Sequence, residues 1–382
     1  MQLVAQGAQD AYLTGKPEIT FFKIVYRRHT AFAVESISQT LNGTVGFGQT
    51  ATATISRNGD LVNNLMLEIT TSGYADANNT NRLGFQLVKE CEIEIGGQRI
   101  DRQYGQWMNI WTELTQTSQK KELLSRMCDR DASAASSTLY VPLQFWFCRD
   151  NGLALPLIAL QYHEVKLKVT FESAAQAADE DDSSHGATSS SSTDASIGAT
   201  LYADYVYLDT DERKKFAQAE HEYLIEQVQR SKETISAGDN KFRLNFNHPV
   251  KELVWCSPSD TGSEFGQYAT NVETAKLVLN GHERMSQRNG RYFDTVQTYQ
   301  HHTGAGVEGV YLYSFALNPE KHQPSGTCNF SRIDNATLEC HLDDLDDNED
   351  EIGVTASTMH IFAHNYNVLR IMSGMGGLAY SN

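Results

Sequence analysis

Five short stretches of this chain recur in the same order further along it, and this internal repeat limits the fold more than any other feature. Phe32-Ala-Val-Glu-Ser-Ile37 is echoed by Tyr223-Leu-Ile-Glu-Gln-Val228, an offset of 191. Asp60-Leu-Val-Asn-Asn-Leu-Met66 is echoed by His248-Pro-Val-Lys-Glu-Leu-Val254 (188), and Ile93-Glu-Ile-Gly-Gly-Gln-Arg99 by Leu277-Val-Leu-Asn-Gly-His-Glu-Arg284 (184). Tyr140-Val-Pro-Leu-Gln-Phe145 resembles Tyr311-Leu-Tyr-Ser-Phe315 near an offset of 170, and Thr200-Leu-Tyr-Ala aligns with Thr358-Met-His-Ile at 158. Each match alone is weak. Their shared order and shrinking offset mean two copies of one unit, the second with shorter connections.

The residues inside the repeat alternate with a period of two. Leu65–Ile69, Cys91–Ile95, Glu164–Val169 and Tyr202–Tyr207 each place apolar side chains on one face, the pattern of half-buried strands. Two stretches read as helices instead. Tyr104, Trp107, Met108, Trp111 and Leu114 form an apolar stripe at helical spacing. Asp211–Phe216 follows Thr210 as a candidate N-cap, with acids in its first turn where the helix dipole favours them. Ser-, Ala- and Asp-rich stretches at 173–198 and 233–240, and an acidic run at 343–351, read as surface loops. The expected class is therefore all-β: two tandem eight-stranded jelly rolls, with short helices in the connecting loops.

A length of 382 residues suits two cores, and 40% hydrophobic content is enough to fill them. The formal charge is −17, of which eleven negatives sit in the runs at 179–182 and 343–351. An acidic body argues against wrapping nucleic acid, whose affinity rests on Lys and Arg neutralising phosphates. The one basic cluster, Lys23, Arg27, Arg28 and His29, stands among apolar neighbours and reads as an interface or an ion-paired segment. Six cysteines are widely spaced with no CxxC pair, so reduced thiols are expected rather than a zinc ribbon or disulfide scaffold. The first residues lack the basic and apolar regions of a signal peptide, and no stretch approaches the ~20 apolar residues of a membrane span.

Patterns that carry catalysis fail one by one. His163-Glu164, His221-Glu222 and His282-Glu283 each need a second histidine four residues on, where Leu167, Ile225 and Ser286 stand. Gly304-Ala-Gly306-Val-Glu-Gly309 matches a dinucleotide fingerprint literally but precedes a strand, so no helix N-terminus would meet a phosphate. Asp346–Asp350 spaces oxygens like a calcium loop, but Glu351 occupies the glycine position and Ser357 the bidentate position. His301-His302 and the His360/His364 pair lack a third metal ligand. No catalytic, cofactor or metal residue is assigned, and no cofactor is expected. Four N-x-S/T sequons occur, at Asn42, Asn78, Asn329 and Asn335; Asn78 and Asn42 are the candidate glycan acceptors, and Asn329 and Asn335 are expected in or beside strands.

Several long segments resemble the major capsid proteins of nucleocytoplasmic large DNA viruses, closest to those of algal phycodnaviruses. They include Gly7-Ala-Gln-Asp-Ala-Tyr-Leu-Thr-Gly-Lys-Pro-Glu-Ile-Thr-Phe-Phe-Lys-Ile-Val-Tyr-Arg-Arg-His-Thr30, Ile55-Ser-Arg-Asn-Gly-Asp60, Glu94-Ile-Gly-Gly-Gln-Arg-Ile-Asp101 and the segment Leu153–Val165. Leu244–Pro249, Gln323–Thr337 and Asn365-Tyr-Asn-Val-Leu-Arg-Ile-Met-Ser-Gly-Met-Gly-Gly-Leu-Ala-Tyr380 complete the set, in family order from residue 7 to residue 380. The resemblance implies a double jelly roll. It divides the chain into an N-terminal arm (1–24), a first jelly roll (25–212), a linker helix (213–222) and a second jelly roll with a C-terminal tail (223–382). It also implies a homotrimeric, pseudo-hexagonal capsomer tiling the icosahedral outer shell of a virion, made in the host cytoplasm. Its implied partners are copies of itself, neighbouring capsomers and minor capsid proteins, with an internal membrane met only indirectly and no direct nucleic acid. The arm is expected against a neighbour or the inner side of the shell, or else packed within its own chain; the small apolar tail after Ile371 suits close backbone packing. Two other jelly-roll functions stay open to the residues: a carbohydrate-binding module, which a tyrosine-rich surface would suit (17 Tyr), and a cupin-type metalloenzyme.

Overall fold

The computed structural model describes residues 7–72, 81–130, 136–173, 196–258, 265–342 and 358–381. Apart from four two-residue strands (Leu41–Asn42, Leu155–Pro156, Arg288–Asn289 and Cys328–Asn329) and a final one, its strands fall into two sets of eight. The first set is β1 (Phe32–Gln39), β2 (Thr50–Ile55), β3 (Leu61–Ser72), β4 (Val88–Ile95), β5 (Gln98–Tyr104), β6 (Ser136–Pro142), β7 (Val165–Phe171) and β8 (Ser196–Leu208). The second is β9 (His221–Thr234), β10 (Gly238–Arg243), β11 (Pro249–Cys256), β12 (Val272–Leu279), β13 (His282–Glu283), β14 (Val310–Ser314), β15 (Ala336–Leu342) and β16 (Thr358–Met372). A last strand, β17 (Met375–Leu378), folds back on β16.

In the first unit the sheets run β1-β8-β3-β6 and β2-β7-β4-β5; in the second they run β9-β16-β11-β14 and β10-β15-β12-β13. Subtracting eight turns one order into the other, so each unit is a jelly roll of the same topology, and the main ladders are antiparallel. All five repeated stretches lie in equivalent strands or turns. The ladders correct the register of two of them. If Leu65 is matched to Leu253, then Ala203 pairs with the first and Ala363 with the second, an offset of 160 rather than 158. Ile37 and Gln229 face those alanines in turn, giving 192 rather than 191. Apolar alternation leaves a one- or two-residue slip undetected in sequence, whereas hydrogen-bonded partners do not.

Most strands bury every second side chain, as in β7 (alternately buried and half-buried from Val165 to Phe171) and β15. β11 and the first half of β16 break that rule: from Val250 to Cys256 and from Met359 to Tyr366 every residue is buried. The odd members of these runs, Leu253, Trp255, Met359, Ile361 and Ala363, pack inside their own barrel. The even members Val254, Cys256 and Phe362 pack outside it, against the first unit.

What covers them is α1 (Gly105–Thr115), the helix expected from the apolar stripe, with Tyr104 as its N-cap. Met108 turns into the first barrel's core, while Trp107, Ile110, Trp111 and Leu114 face the second barrel. A second helix, α2 (Ser118–Cys128), was not legible in the sequence; it buries only Leu124 and Cys128, too few residues to mark a stripe. α3 (Thr210–Gln218), the helix expected over Asp211–Phe216, joins the barrels. Asp209, not Thr210, is its N-cap; the Asp209 carboxylate accepts from the Thr210 amide. The supposed loops at 173–198 and 233–240 are narrower than expected, since Ser196 opens β8 and Gly238 opens β10. The acidic run at 343–351 and residues 174–195 lie outside the described residues.

Emptying a fully buried site at this junction has a predictable cost. Trp107→Ala is expected to lower the unfolding free energy by about 3–5 kcal/mol, read from chemical-denaturation midpoints. Leu123→Ala, on the exposed side of α2 at 55% exposure, is expected to stay within about 0.5 kcal/mol of the parent.

Candidate functional site: the seam between the barrels

Tyr104, Trp107, Ile110, Trp111 and Leu114 of the first unit form one apolar cluster with Val228, Val254, Cys256, Val310, Leu312 and Phe362 of the second. Trp107 stacks on Trp111 with ring centroids 5.8 Å apart and meets Phe362 at 5.3 Å. The Gly304–Gly309 loop is part of the same junction. Helix α1 leaves its last carbonyls without partners, and the Gly304 amide donates to the Leu114 carbonyl at 2.7 Å. A Cβ on Gly304 would stand 2.4 Å from the Glu113 carbonyl oxygen, so only glycine lets the second barrel cap the first barrel's helix. The glycine pattern that resembles a cofactor loop is thus a helix-capping contact.

Beside the aromatics lies a buried charged network. Arg149, at the end of a helical turn in the first barrel, donates to Glu226 of β9 at 3.0 Å, and its guanidinium lies 3.2 Å from His364 Nε2. His364 lies between two carboxylates, its Nε2 3.1 Å from Glu226 and its Nδ1 3.1 Å from Glu252. Lys251 Nζ donates to Glu226 at 2.7 Å. His302 Nε2 stands 2.9 Å from Glu252, and its Nδ1 stands 3.2 Å from Glu320. Only an imidazolium donates from both nitrogens, and the electrostatics agree. Burial would lower the His302 pKa, but the Glu252 charge and hydrogen bond, with Glu320, lift it to about 9. Burial would raise the Glu252 carboxyl, yet His302 and His364 hold it well below the usual carboxylate range. Glu226 is also held low, against its own burial, by His322, His364 and Lys251. The Arg149 guanidinium lies 4.2 Å over the Trp111 ring, joining the charged and aromatic halves of the seam.

The C-terminal tail closes the far side. Ile225, Leu369 and Ile371 of the second unit belong to the first barrel's core cluster. Past them, β17 lays backbone against the first barrel: the Gly376 amide and carbonyl both lie within 3.1 Å of His163 Nδ1, and the Leu378 amide donates to Gln98 at 3.3 Å. A Cβ on Gly376 would approach Leu160 to 2.7 Å, which is why small residues fill this segment.

Three of the four histidines weighed as metal ligands take part in this junction, and His301 meets the Leu317 carbonyl instead. His302 and His364 bind carboxylates and His360 bonds Gln106, and among the described residues no group of three or more His, Cys, Asp or Glu could hold a metal. All six cysteines are free. Asn42 is exposed at the end of a two-residue strand, Asn329 lies in another, Asn335 precedes β15, and Asn78 lies outside the described residues. Among its described residues the N-terminal arm does not pack on its own chain: Tyr12, Phe21 and Phe22 are all more than 80% exposed, and the helical turn Asp10–Thr14 buries nothing. Neither Lys251, Glu252 nor Arg149 was singled out in the sequence; the only available signal was charge inside β11 where the repeat demands a core strand.

The pH dependence of this seam follows from its signs. Carboxylates held low stabilise above their ordinary range, near pH 4.5, and lose that contribution as pH falls. His302, held high, stabilises fully below its ordinary value near 6.5 and loses its contribution as pH rises through about 9. Thermal stability is therefore expected to fall between pH 6.5 and 9.5 in scanning calorimetry, with His302→Gln removing much of that alkaline slope. Glu252→Gln, which leaves His302 and His364 short of a charged partner, is expected to cost about 3 kcal/mol near neutral pH.

Residues 20–209 match the family described as major capsid protein N-terminus, and residues 212–377 match large eukaryotic DNA virus major capsid protein. The chain is 50% identical to the major capsid protein of Pyramimonas orientalis virus, over 100% of this chain and 99% of the relative. The crystal structure of VP54 from PBCV-1, fitted into a reconstruction of the virophage Sputnik, superposes with a TM-score of 0.86 at 41% identity, covering 95% of this chain and all of that one. A subunit of the PBCV-1 capsid superposes at 0.83 and 40% identity, with the same coverage. Two like jelly rolls joined by a buried seam, with both halves matched and full-length relatives at this identity, make the chain a member of the major capsid proteins of large eukaryotic DNA viruses, structural and non-enzymatic proteins of the virion shell.

Proposed function

We propose that three copies of this chain form a pseudo-hexagonal capsomer that tiles an icosahedral shell. The observation that carries the reading is the pair of topologically identical barrels held at one fixed angle by a buried seam: three such chains present six similar corners, and a closed ring of three is an ordinary symmetry for a homo-oligomer. In this reading the arm is residues 1–24, the barrels 25–212 and 223–382, and the linker 213–222. The exposed aromatic arm finds its cover against a neighbouring copy or on the inner side of the shell. Capsomers meet one another laterally and minor capsid proteins beneath; an internal membrane is reached indirectly, and the acidic chain does not bind the genome. Synthesis in the host cytoplasm suits six free thiols. Asn42 and Asn78 are the glycan acceptors proposed.

Light scattering of the purified chain is expected to give a mass three times the 42.6 kDa of one copy, without a prosthetic group. A folded protein that stays monomeric at every concentration overturns the reading. Peptide mass spectrometry of the native particle tests the glycans: sugar mass on the peptide carrying Asn42 or Asn78 supports them, and two unmodified peptides reject them.

A further inference from the structure

The seam inside the chain has a second, unfilled counterpart. On the covered face of the second barrel stand Glu226, Val254, Val310, Phe362 and His364. The ladders place Val34, Met66, Tyr140, Tyr202 and Asp204 at the same positions of the first barrel, on the outer face of β1-β8-β3-β6. The polar pair is matched as well. Asn64 donates to Asp204 at 3.0 Å where Glu252 meets His364 in the second barrel. Yet among the described residues of one chain this face stays open: Val34 is 52% and Tyr140 40% exposed, and Met66 and Tyr202 are half-buried.

The covering helix also has a twin. Helix α1 follows β5; in the second barrel a π-helical turn, Tyr292–Val296, runs into α4 (Gln297–His301) after β13. Phe293 turns into the second core as Met108 turns into the first. With those two matched, an offset of 185, Val296 and Tyr299 take the places of Trp111 and Leu114, the side chains that seal the seam within the chain. They are 39% and 89% exposed. Each chain thus carries an uncovered sheet face and an uncovered helix face, built on the plan of a pair that is already joined between its two barrels.

We infer that the Tyr292–His301 segment of one copy docks on the outer face of the β1-β8-β3-β6 sheet of a second copy, with Val296 and Tyr299 lying over Met66, Tyr140 and Tyr202. This contact rests on the trimer reading and names the surfaces that make it. It is heterologous, helix to sheet, so it propagates in one direction. If each contact between copies repeats the step between barrels, six barrels close a ring with every such face covered.

The test uses two full-length variants: the helix variant Val296→Asp with Tyr299→Asp, and the sheet variant Val34→Asp with Tyr140→Asp. All four side chains are at least 39% exposed, so each fold is expected to keep its circular dichroism and melting transition. Light scattering is expected to show a trimer for the parent and a monomer for each variant. The milder pair Val296→Ser with Tyr299→Ser should weaken assembly at least tenfold. An equal mixture of the two aspartate variants should yield heterodimers and no trimers, because only the sheet variant's helix and the helix variant's sheet remain intact. Variants that stay trimeric, or a mixture that stays monomeric, overturn this docking while leaving a trimeric parent in place; a monomeric parent overturns the trimer reading itself.

Discussion

The structure depends on one sheet being buried on both faces. The β9-β16-β11-β14 sheet fills its own barrel with one set of side chains and receives α1 of the first barrel on the other. An isolated jelly roll shows solvent the outer face of each sheet, and its strands then alternate. Here Val254, Cys256, Phe362 and Leu312 are apolar on the side that would face water, and they make sense only because Trp107, Trp111 and Leu114 lie over them. Two barrels that could have been beads on a string become one body, with a fixed angle between them.

Apolar contact alone would permit that angle to vary, since dispersion and burial are non-directional. The charged network restricts it. Glu226, Glu252, Glu320, Lys251, Arg149 and His302 are removed from water at a cost of several kcal/mol per ion, which is recovered only when each finds its partner in good geometry. A rotation of one barrel against the other would strand Arg149 from Glu226 across the seam. The network's worth lies less in stability than in selecting one arrangement, and for a shell-building protein the arrangement is the function. The Gly304 cap on α1 and the β17 backbone against His163 act the same way, since both require a separation that any larger residue would prevent.

Much of this was legible before any coordinates. Leu65, Leu253, Ile93 and Leu277 sit in equivalent strands because a strand's core face must be apolar at every second residue, and a duplicated unit repeats that demand. The stripe from Trp107 to Leu114 announced a helix, though not what it covers. The slips at Ile37 and Ala203 arose because alternation fixes a strand's face but not which residue lies opposite which. α2 went unread because Leu124 and Cys128 are its only buried residues and its stability comes from what it packs on.

What the sequence determined by itself was class and duplication, which follow from local period and the ordered repeat, and family, which follows from long segments that resemble known capsid proteins. The tertiary structure decided what those properties are for. Gly304-Ala-Gly306 is a helix cap, His302 and His364 are partners of buried carboxylates, and charge inside β11 is a lock between barrels. No spacing rule foretells these roles, because each joins residues on different elements, 25 to 190 positions apart, through chain paths that only the folded sheets define. The internal repeat therefore specifies two barrels, and the buried seam makes them a single building block.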